Sequence, residues 1–257
     1  MRGAAAAILA LSLMPATQAQ PAFDVASIKP SESAWLQISP QRSGGRISWQ
    51  TDLFQMILYA YHLPSWRVVG LPAGDDFFQV DARFDEAATT DQIRSMFQSL
   101  LASRFQLGAH RETKELNGYT LNVGKSGLKL KESNPGDPPA PLPPWFAGKD
   151  AMIPQIEGKV IASAEGKGIA AVTGRRVSMA ELAEGLQSPL RTFVLDKTNL
   201  SGKYYFAFKF LRDDAPPDAD APTLAQALQE LGLRLEKVKG PVEMLVIDHV
   251  EKMPTAN

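Results

Sequence analysis

The chain has no cysteine and only 3 histidines among its 257 residues. The lack of cysteine excludes disulfide bonds, thiolate nucleophiles and cysteine-based metal sites, so stability must come from packed apolar surface alone. The histidines, His62, His110 and His249, lie far apart, and none has a second histidine at the spacing of metal ligands. Phosphate-binding glycine loops are lacking too. The sequence therefore predicts neither a metal nor a cofactor.

An excess of charge of one sign is also lacking. Lysine and arginine number 27 and aspartate and glutamate number 28, which gives a formal net charge of -1. A chain with balanced charge gives no reason to expect nucleic acid or an anionic lipid surface as a partner. We therefore exclude nucleic acid from the expected partners.

Long apolar runs are limited to the amino terminus. Arg2 precedes an apolar run, Ala4–Met14, which ends at the helix-breaking Pro15 and is followed by small residues at Thr17 and Ala19. This pattern is typical of a secretory signal peptide over residues 1–19. The alternative is an uncleaved anchor, which would need about 18 apolar residues to span a bilayer. We expect an exported protein, periplasmic or extracellular, with no membrane span after cleavage.

The first half of the chain resembles the second half at an offset of 126 residues. Asp52 and Gln55 have the spacing of a helix-capping box, and Ser178 and Glu181 repeat it at that offset. In both halves a strand with alternating apolar residues follows the helix. These residues are Phe78, Val80, Ala82 and Phe84 in the first half and Tyr204, Phe206, Phe208 and Phe210 in the second.

This pattern predicts an α+β protein of two repeated β-α-β-α-β-β units, at about residues 47–125 and 172–251. In the second unit the later helix begins at a capping box of Thr223 and Gln226. The alternative is that two ordinary α+β halves share a helix-strand order by coincidence.

Each predicted unit closes with a β-hairpin. The paired strands would be 105–112 with 119–123 in the first unit, and 233–239 with 242–250 in the second. In the second hairpin the pair Gly240 and Pro241 supplies the turn.

A proline-rich stretch separates the two predicted units. Asn134–Pro144 has six prolines in eleven residues, and such a segment cannot form a helix interior or a sheet ladder. We predict an extended linker over residues 133–150. The first domain would then span 20–132, including an added amino-terminal strand, and the second 151–257.

Catalytic motifs are absent from the sequence, which has no Gly-x-Ser-x-Gly elbow and no His-Glu-x-x-His helix. His110, Arg111 and Glu112 lie together on a predicted strand, where His110 and Glu112 share one face. We take these three residues as a candidate binding surface; the alternative is a polar outer face with ordinary cross-strand ion pairs. Trp145, at the end of the linker, is a fourth candidate, unless the linker docks onto its own domain.

The other two histidines, His249 and His62, are predicted to have structural roles. Asp248 and His249 are neighbours on a predicted strand, so they point to opposite faces and should not pair directly. His62 lies at a helix end, where we expect it to cap the helix rather than take part in catalysis.

Several segments together carry a family resemblance: Phe23–Pro30, Met96–Phe105, His110–Thr113, Val194–Gly202 and Gly240–Lys252. Over nearly the whole mature chain they resemble the soil-associated, acidobacterial family of uncharacterised exported proteins. The sequence departs from that family at Ser103, where aspartate is usual, and at Gln229–Leu233, which is one residue shorter.

The resemblance implies export and domain extent but no activity, since that family has none assigned. Some relatives are similar to the sensor portion of membrane-bound antirepressor peptidases. More loosely, each half is similar in element order to the short N-terminal domain of secretins and TonB-dependent receptors, modules that dock protein partners. That comparison is a fold-level analogy and does not assign function.

Three functions follow as hypotheses. The first is a non-catalytic binding or scaffold protein that docks an envelope protein, with a partner strand added to an exposed sheet edge. The second is a sensor or small-ligand binder with a cleft between the two units. The third is a hydrolase of unrecognised type that uses His110 and Glu112.

Overall fold

A computed structural model describes residues 21–32, 36–37, 39–71, 76–137, 157–164 and 166–255. The predicted signal peptide at 1–19, most of the predicted linker and Trp145 lie outside the described residues. The predictions made for them therefore stay predictions.

The described residues form a mixture of helices and strands in which strands predominate. The helices are α1 (Leu53–Tyr61), α2 (Thr90–Arg104), α3 (Met179–Leu190) and α4 (Leu224–Glu230), with a short 3-10 turn at Ser65–Arg67. The strands are β1 (Val25–Ser31), β2 (Gln41–Ser43), β3 (Arg46–Asp52), β4 (Val68–Val69), β5 (Phe77–Arg83), β6 (Gly108–Val123), β7 (Lys159–Ala164), β8 (Ile169–Val177), β9 (Val194–Asp196), β10 (Tyr204–Leu211) and β11 (Leu233–His249).

The chain divides into two compact units. Unit 1 comprises Met1–His62, Pro72–Leu107 and His249–Asn257, and unit 2 comprises Leu63–Leu71 and Gly108–Asp248. Their boundaries differ from the sequence-predicted domains, because β6 from the first half and β11 from the second are neighbours in one sheet of unit 2.

Unit 1 contains one four-stranded antiparallel sheet with the order β1-β5-β3-β2. Its strands alternate between a buried and an exposed face, as expected for a sheet with one face on a core. The buried face carries Ile28, Ile47, Trp49, Phe78, Val80 and Ala82. The rings of Trp49, Tyr59 and Phe97 pack edge to face, with centroids 5.2 to 5.4 Å apart. The other face of the sheet is open.

Unit 2 contains two sheets. The sheet β10-β8-β7 is antiparallel and shares a core with α3 and α4. The second sheet has the order β4-β11-β6-β9, in which the short edge strands β4 and β9 run parallel to β11 and β6. The contacts of His110 with Asp248 and of Asn122 with Glu236 lie at opposite ends of β6 and β11, so these two long strands run antiparallel.

The predicted closing hairpins are wrong, because each is one long strand: β6 has 16 residues and β11 has 17. A Cβ atom on Gly118 in β6 would lie only 2.5 Å from the ring of Phe193, so this glycine leaves room for a ring that packs on the sheet. A Cβ atom on Gly240 would lie 3.4 Å from the same ring, which is an ordinary van der Waals distance.

Both halves of the chain have the same element types in the same order. The first half runs β3, α1, β4, β5, α2 and β6, and the second runs β8, α3, β9, β10, α4 and β11. Their second helices differ, since α2 has 15 residues and α4 has 7. Duplication of one unit stays a prediction.

The predicted helix starts are confirmed. The Asp52 side chain accepts a hydrogen bond from the Gln55 backbone N–H at 2.6 Å, and α3 and α4 both begin with a complete capping box, at Ser178 and Thr223. His62 is the C-cap residue of α1, with a left-handed φ of 52°, so its capping role is also confirmed. These helices therefore begin, and α1 also ends, at the residues that capping chemistry predicts.

The capping box of α3 makes stability depend on pH. Burial raises the pKa of Glu181, but hydrogen bonds from the Ser178 backbone and hydroxyl and from the Lys203 ammonium outweigh it and hold that pKa below the usual glutamate value. A carboxyl with a lowered pKa stabilises the fold fully above its unfolded pKa, about 4.3 for glutamate, and this contribution is lost as pH falls through the folded pKa.

We expect Glu181→Gln to reduce the loss of stability between about pH 5 and pH 3, because glutamine keeps the capping box but does not titrate. Urea unfolding at a series of pH values measures this effect. Glu184→Gln, an exposed residue of the same helix, is the matched control. An acid limb equally steep in wild type and Glu181→Gln would contradict the prediction.

Candidate functional site

The sequence-predicted residues His110, Arg111 and Glu112 do not converge on one another. The His110 Nδ1 atom lies 2.9 Å from the Asp248 Oδ2 atom, Arg111 pairs with Glu243, and Glu112 pairs with Lys114 at 3.2 Å. Each of the three side chains is about half exposed, at 54%, 51% and 49%. Exposed ion pairs of this kind contribute little energy. The arrangement favours the polar outer face that the sequence left open as the alternative.

Contacts around Glu243 attach the turn at Ser65–Arg67 to β11. The Arg67 guanidinium donates to the Glu243 backbone oxygen from Nε at 2.8 Å and from Nη2 at 2.6 Å, while the Glu243 carboxylate pairs with Arg111. This network is a structural clamp within unit 2.

The prediction that Asp248 and His249 do not pair is confirmed. Asp248 pairs with His110, whereas the His249 Nε2 atom lies 3.0 Å from the Glu251 Oε1 atom. Neighbouring residues of a strand point to opposite faces, which explains their separate partners.

The two described tryptophans, Trp49 and Trp66, are core residues. Trp49 is fully buried and donates its indole N–H to the Gln37 backbone oxygen at 2.9 Å. Trp66 is 9% exposed and packs with Phe193, Val242 and Met244.

The open face of the unit 1 sheet forms a concavity of about 650 Å³. Strand register brings side chains from all four strands into rows across it. One row is Val25, Arg83, Arg46 and Ser43, and the next is Ser27, Asp81, Ser48 and Gln41. Successive residues on one face of a strand are about 7 Å apart, so the two rows are separated by that distance.

The first row places two like charges opposite each other. Arg46 and Arg83 are register partners on β3 and β5, both are exposed, and neither has an ion pair among the described residues. Like charges directly opposite each other destabilise a strand pair. Arg42, by contrast, donates to the Thr90 hydroxyl and the Ala88 backbone oxygen and covers the Phe84 ring. Within the described ranges, the charge of this arginine pair is therefore not neutralised by an ion pair.

The second row is polar and held in place by Gln79. The Gln79 Nε2 atom donates to the Asp81 Oδ1 atom at 3.1 Å and to the Ser48 Oγ atom at 2.9 Å. The Asp81 carboxylate and the serine hydroxyls can both bind hydroxyl groups. Chemically, the concavity offers two guanidinium groups beside a row of hydrogen-bonding oxygens.

Sequence reasoning missed Arg46 and Arg83. The available signal was the alternation in residues 46–52 and 77–83, which marks both arginines as exposed strand residues. Only the register between β3 and β5 shows that they are opposite each other.

Within the described ranges, no group of histidine, cysteine, aspartate and glutamate side chains could hold a metal ion. The helices of that same part of the chain are all too short or too polar to span a membrane.

The described residues form a mixed α and β protein with three sheets, and the exposed face of the unit 1 sheet carries the two arginines. A family model described as Protein of unknown function (DUF3738) matches residues 54–250, and the chain belongs to that family. Searches of the curated proteins and of the solved structures found no match. Membership of an uncharacterised family agrees with the coarser part of the sequence resemblance and leaves the function to be argued from the site.

Proposed function

We propose that the protein is an exported, non-catalytic binding protein that holds an anionic ligand on the open sheet face of unit 1. The observation that carries the proposal is the pair Arg46 and Arg83, opposite each other in a concavity and without an ion pair among the described residues. Export rests on the amino-terminal sequence, and the non-catalytic part rests on the lack of catalytic motifs in the sequence.

An anion between the two guanidinium groups would remove their repulsion. Arginine presents a planar fork of N–H donors that matches carboxylate, sulfate or phosphate oxygens. The two forks extend from neighbouring strands of a sheet whose other face is packed, so their spacing is preorganised. The proposal is a form of the small-ligand hypothesis in which the ligand lies on one sheet face.

We expect sulfate to bind the wild type more tightly than Arg46→Gln or Arg83→Gln, by roughly threefold to tenfold, because each variant removes one charge-assisted contact. NMR titration at constant ionic strength, with chloride as the balancing anion, measures the affinity. Lys29→Gln is the matched control, since it removes one positive charge from an exposed position of β1 outside the concavity.

Stability gives a second readout of the same pair. Arg83→Glu replaces a repulsive cross-strand pair with an attractive one, so it should abolish sulfate binding while raising the free energy of unfolding by about 0.5–1 kcal/mol. Sulfate affinities equal in wild type and all three arginine variants would contradict the proposed function.

Docking of an envelope protein by strand addition is the second candidate. The strand β7 lies at a sheet edge and pairs with β8 along its whole length. The edge strand β1 suits this role less, because Lys29 and Pro30 hinder pairing with a further strand. A pull-down from envelope extract that retains no protein above a scrambled-sequence control would contradict this candidate.

A further inference from the structure

We infer that the ligand of the open sheet face is an acidic saccharide, a chain with uronic acid residues. This inference rests on the proposed function and adds the chemical class of the ligand. It is drawn from the two rows of the concavity, which differ in charge and hydrogen-bonding character.

The first row selects a carboxylate. Arg46 and Arg83 present two guanidinium forks on adjacent strands, and an arginine fork binds a carboxylate through two parallel N–H···O bonds. The exposed Val25 lies in the same row, beside Arg83, and can contact the C–H groups of a sugar ring. A carboxylate attached to a ring would thus meet both its charge and its apolar partner.

The second row selects hydroxyl groups over a second anion. Asp81 is the register partner of Ser27 on one side and of Ser48 on the other. Its Oδ1 atom accepts from Gln79 at 3.1 Å, and the two oxygens of a carboxylate can accept further hydrogen bonds. A second sulfate or phosphate near Asp81 would be repelled, whereas a hydroxyl group can donate to it.

The two rows therefore favour a ligand that brings a carboxylate to the first row and, about 7 Å away, hydroxyl groups to the second row. A hexuronic acid has this arrangement, because its carboxylate on C5 lies across the pyranose ring from the hydroxyl groups on C2 and C3. In the described part of the chain, no aromatic residue lines the concavity. Stacking of a sugar ring on an aromatic side chain therefore does not contribute to the affinity. Recognition would depend on charge, which makes it sensitive to salt and to esterification of the carboxylate.

Isothermal titration of the mature chain with trigalacturonate, its methyl ester and sulfate tests this inference. We expect trigalacturonate to bind at least about tenfold more tightly than its ester, because the neutral ester lacks the negative charge and the paired carboxylate oxygens that the two arginines would bind. The same loss should follow from the Arg46→Gln, Arg83→Gln double variant and not from Lys29→Gln.

Asp81→Asn distinguishes saccharide recognition from general anion binding, because its effects on trigalacturonate and on sulfate have opposite signs. It should weaken trigalacturonate by roughly threefold to tenfold, because a charged acceptor for its hydroxyl groups becomes neutral, and it should strengthen sulfate through the lost repulsion. Sulfate binding that depends on the arginines, with trigalacturonate no tighter than its ester, would overturn the saccharide inference alone. Equal binding of both anions by wild type and the arginine variants would overturn the proposed function too.

Discussion

Gly232→Ala is expected to lower the free energy of unfolding by roughly 3–5 kcal/mol, because two separate costs add at this position. Gly232 follows the end of α4 with a φ of +77°, a conformation that residues with a Cβ atom adopt at a cost. A Cβ atom there would also lie 2.1 Å from the Gly127 backbone oxygen and 2.7 Å from the Lys129 backbone nitrogen. Backbone atoms cannot turn aside as a flexible side chain can.

The loop that meets Gly232 is held in place by backbone hydrogen bonds. The Gly124 N–H donates to the Gly232 oxygen at 2.8 Å, and the Lys129 N–H donates to the Leu231 oxygen at 3.0 Å. Relief of the clash would therefore break bonds that join this loop to the start of β11.

Gly127→Ala is the matched control for this prediction. Gly127 has the same φ of +77°, but a Cβ atom on it would meet nothing within 4 Å. It should cost only about 1–2 kcal/mol, the backbone penalty alone. Urea unfolding of both variants measures the difference in the free energy of unfolding. Equal losses in the two variants would contradict the predicted clash between a Cβ atom at residue 232 and the loop.

Phe206→Ala is expected to cost about 3–5 kcal/mol, the usual range for removal of a buried aromatic ring. Phe206 is 1% exposed, lies on β10 and packs in the core shared by β8, α3 and α4. Lys209→Ala, a partly exposed position on the opposite face of the same strand, should cost well below 1 kcal/mol and is the control.

The Phe206 ring also explains why residue 174 in β8 is glycine. A Cβ atom on Gly174 would lie 2.4 Å from the Phe206 Cζ atom. Gly174→Ala should therefore destabilise wild type by about 1–3 kcal/mol and destabilise Phe206→Ala less, since the closest clash is gone and only the contact with the Val177 side chain at 2.9 Å is left. A double-mutant cycle measures this coupling, and additive costs would rule out the proposed contact.

Local elements were predictable because short-range chemistry controls them. The caps at Asp52, Ser178 and Thr223 and the alternating strands β5 and β10 lie where side-chain spacing indicated. The closing hairpins were not, because Gly240 and Pro241 favour a turn locally but lie within the long strand β11. A Cβ atom on Gly118 in β6 would clash with the ring of Phe193, and this contact between residues distant in sequence explains the glycine.

The candidate site was less predictable than the fold. His110, Arg111 and Glu112 are conspicuous in the sequence because they are adjacent, yet each has a different ionic partner. Arg46 and Arg83 are 37 positions apart, as their numbers show, and no sequence motif joins them. An ion pair, or its absence, depends on which strands are neighbours, and that information is not local.

Spacing along the chain was enough to establish the mixed class, the helix starts and the alternation of the strands, because each depends on residues within a few positions of one another. Strand order and register depend on which strands are neighbours in the tertiary structure, as β6 and β11 are and as β3 and β5 are. The physical reason is that cross-strand neighbours are selected by packing of the whole core. The pair of arginines on which the proposed function rests exists only at that level.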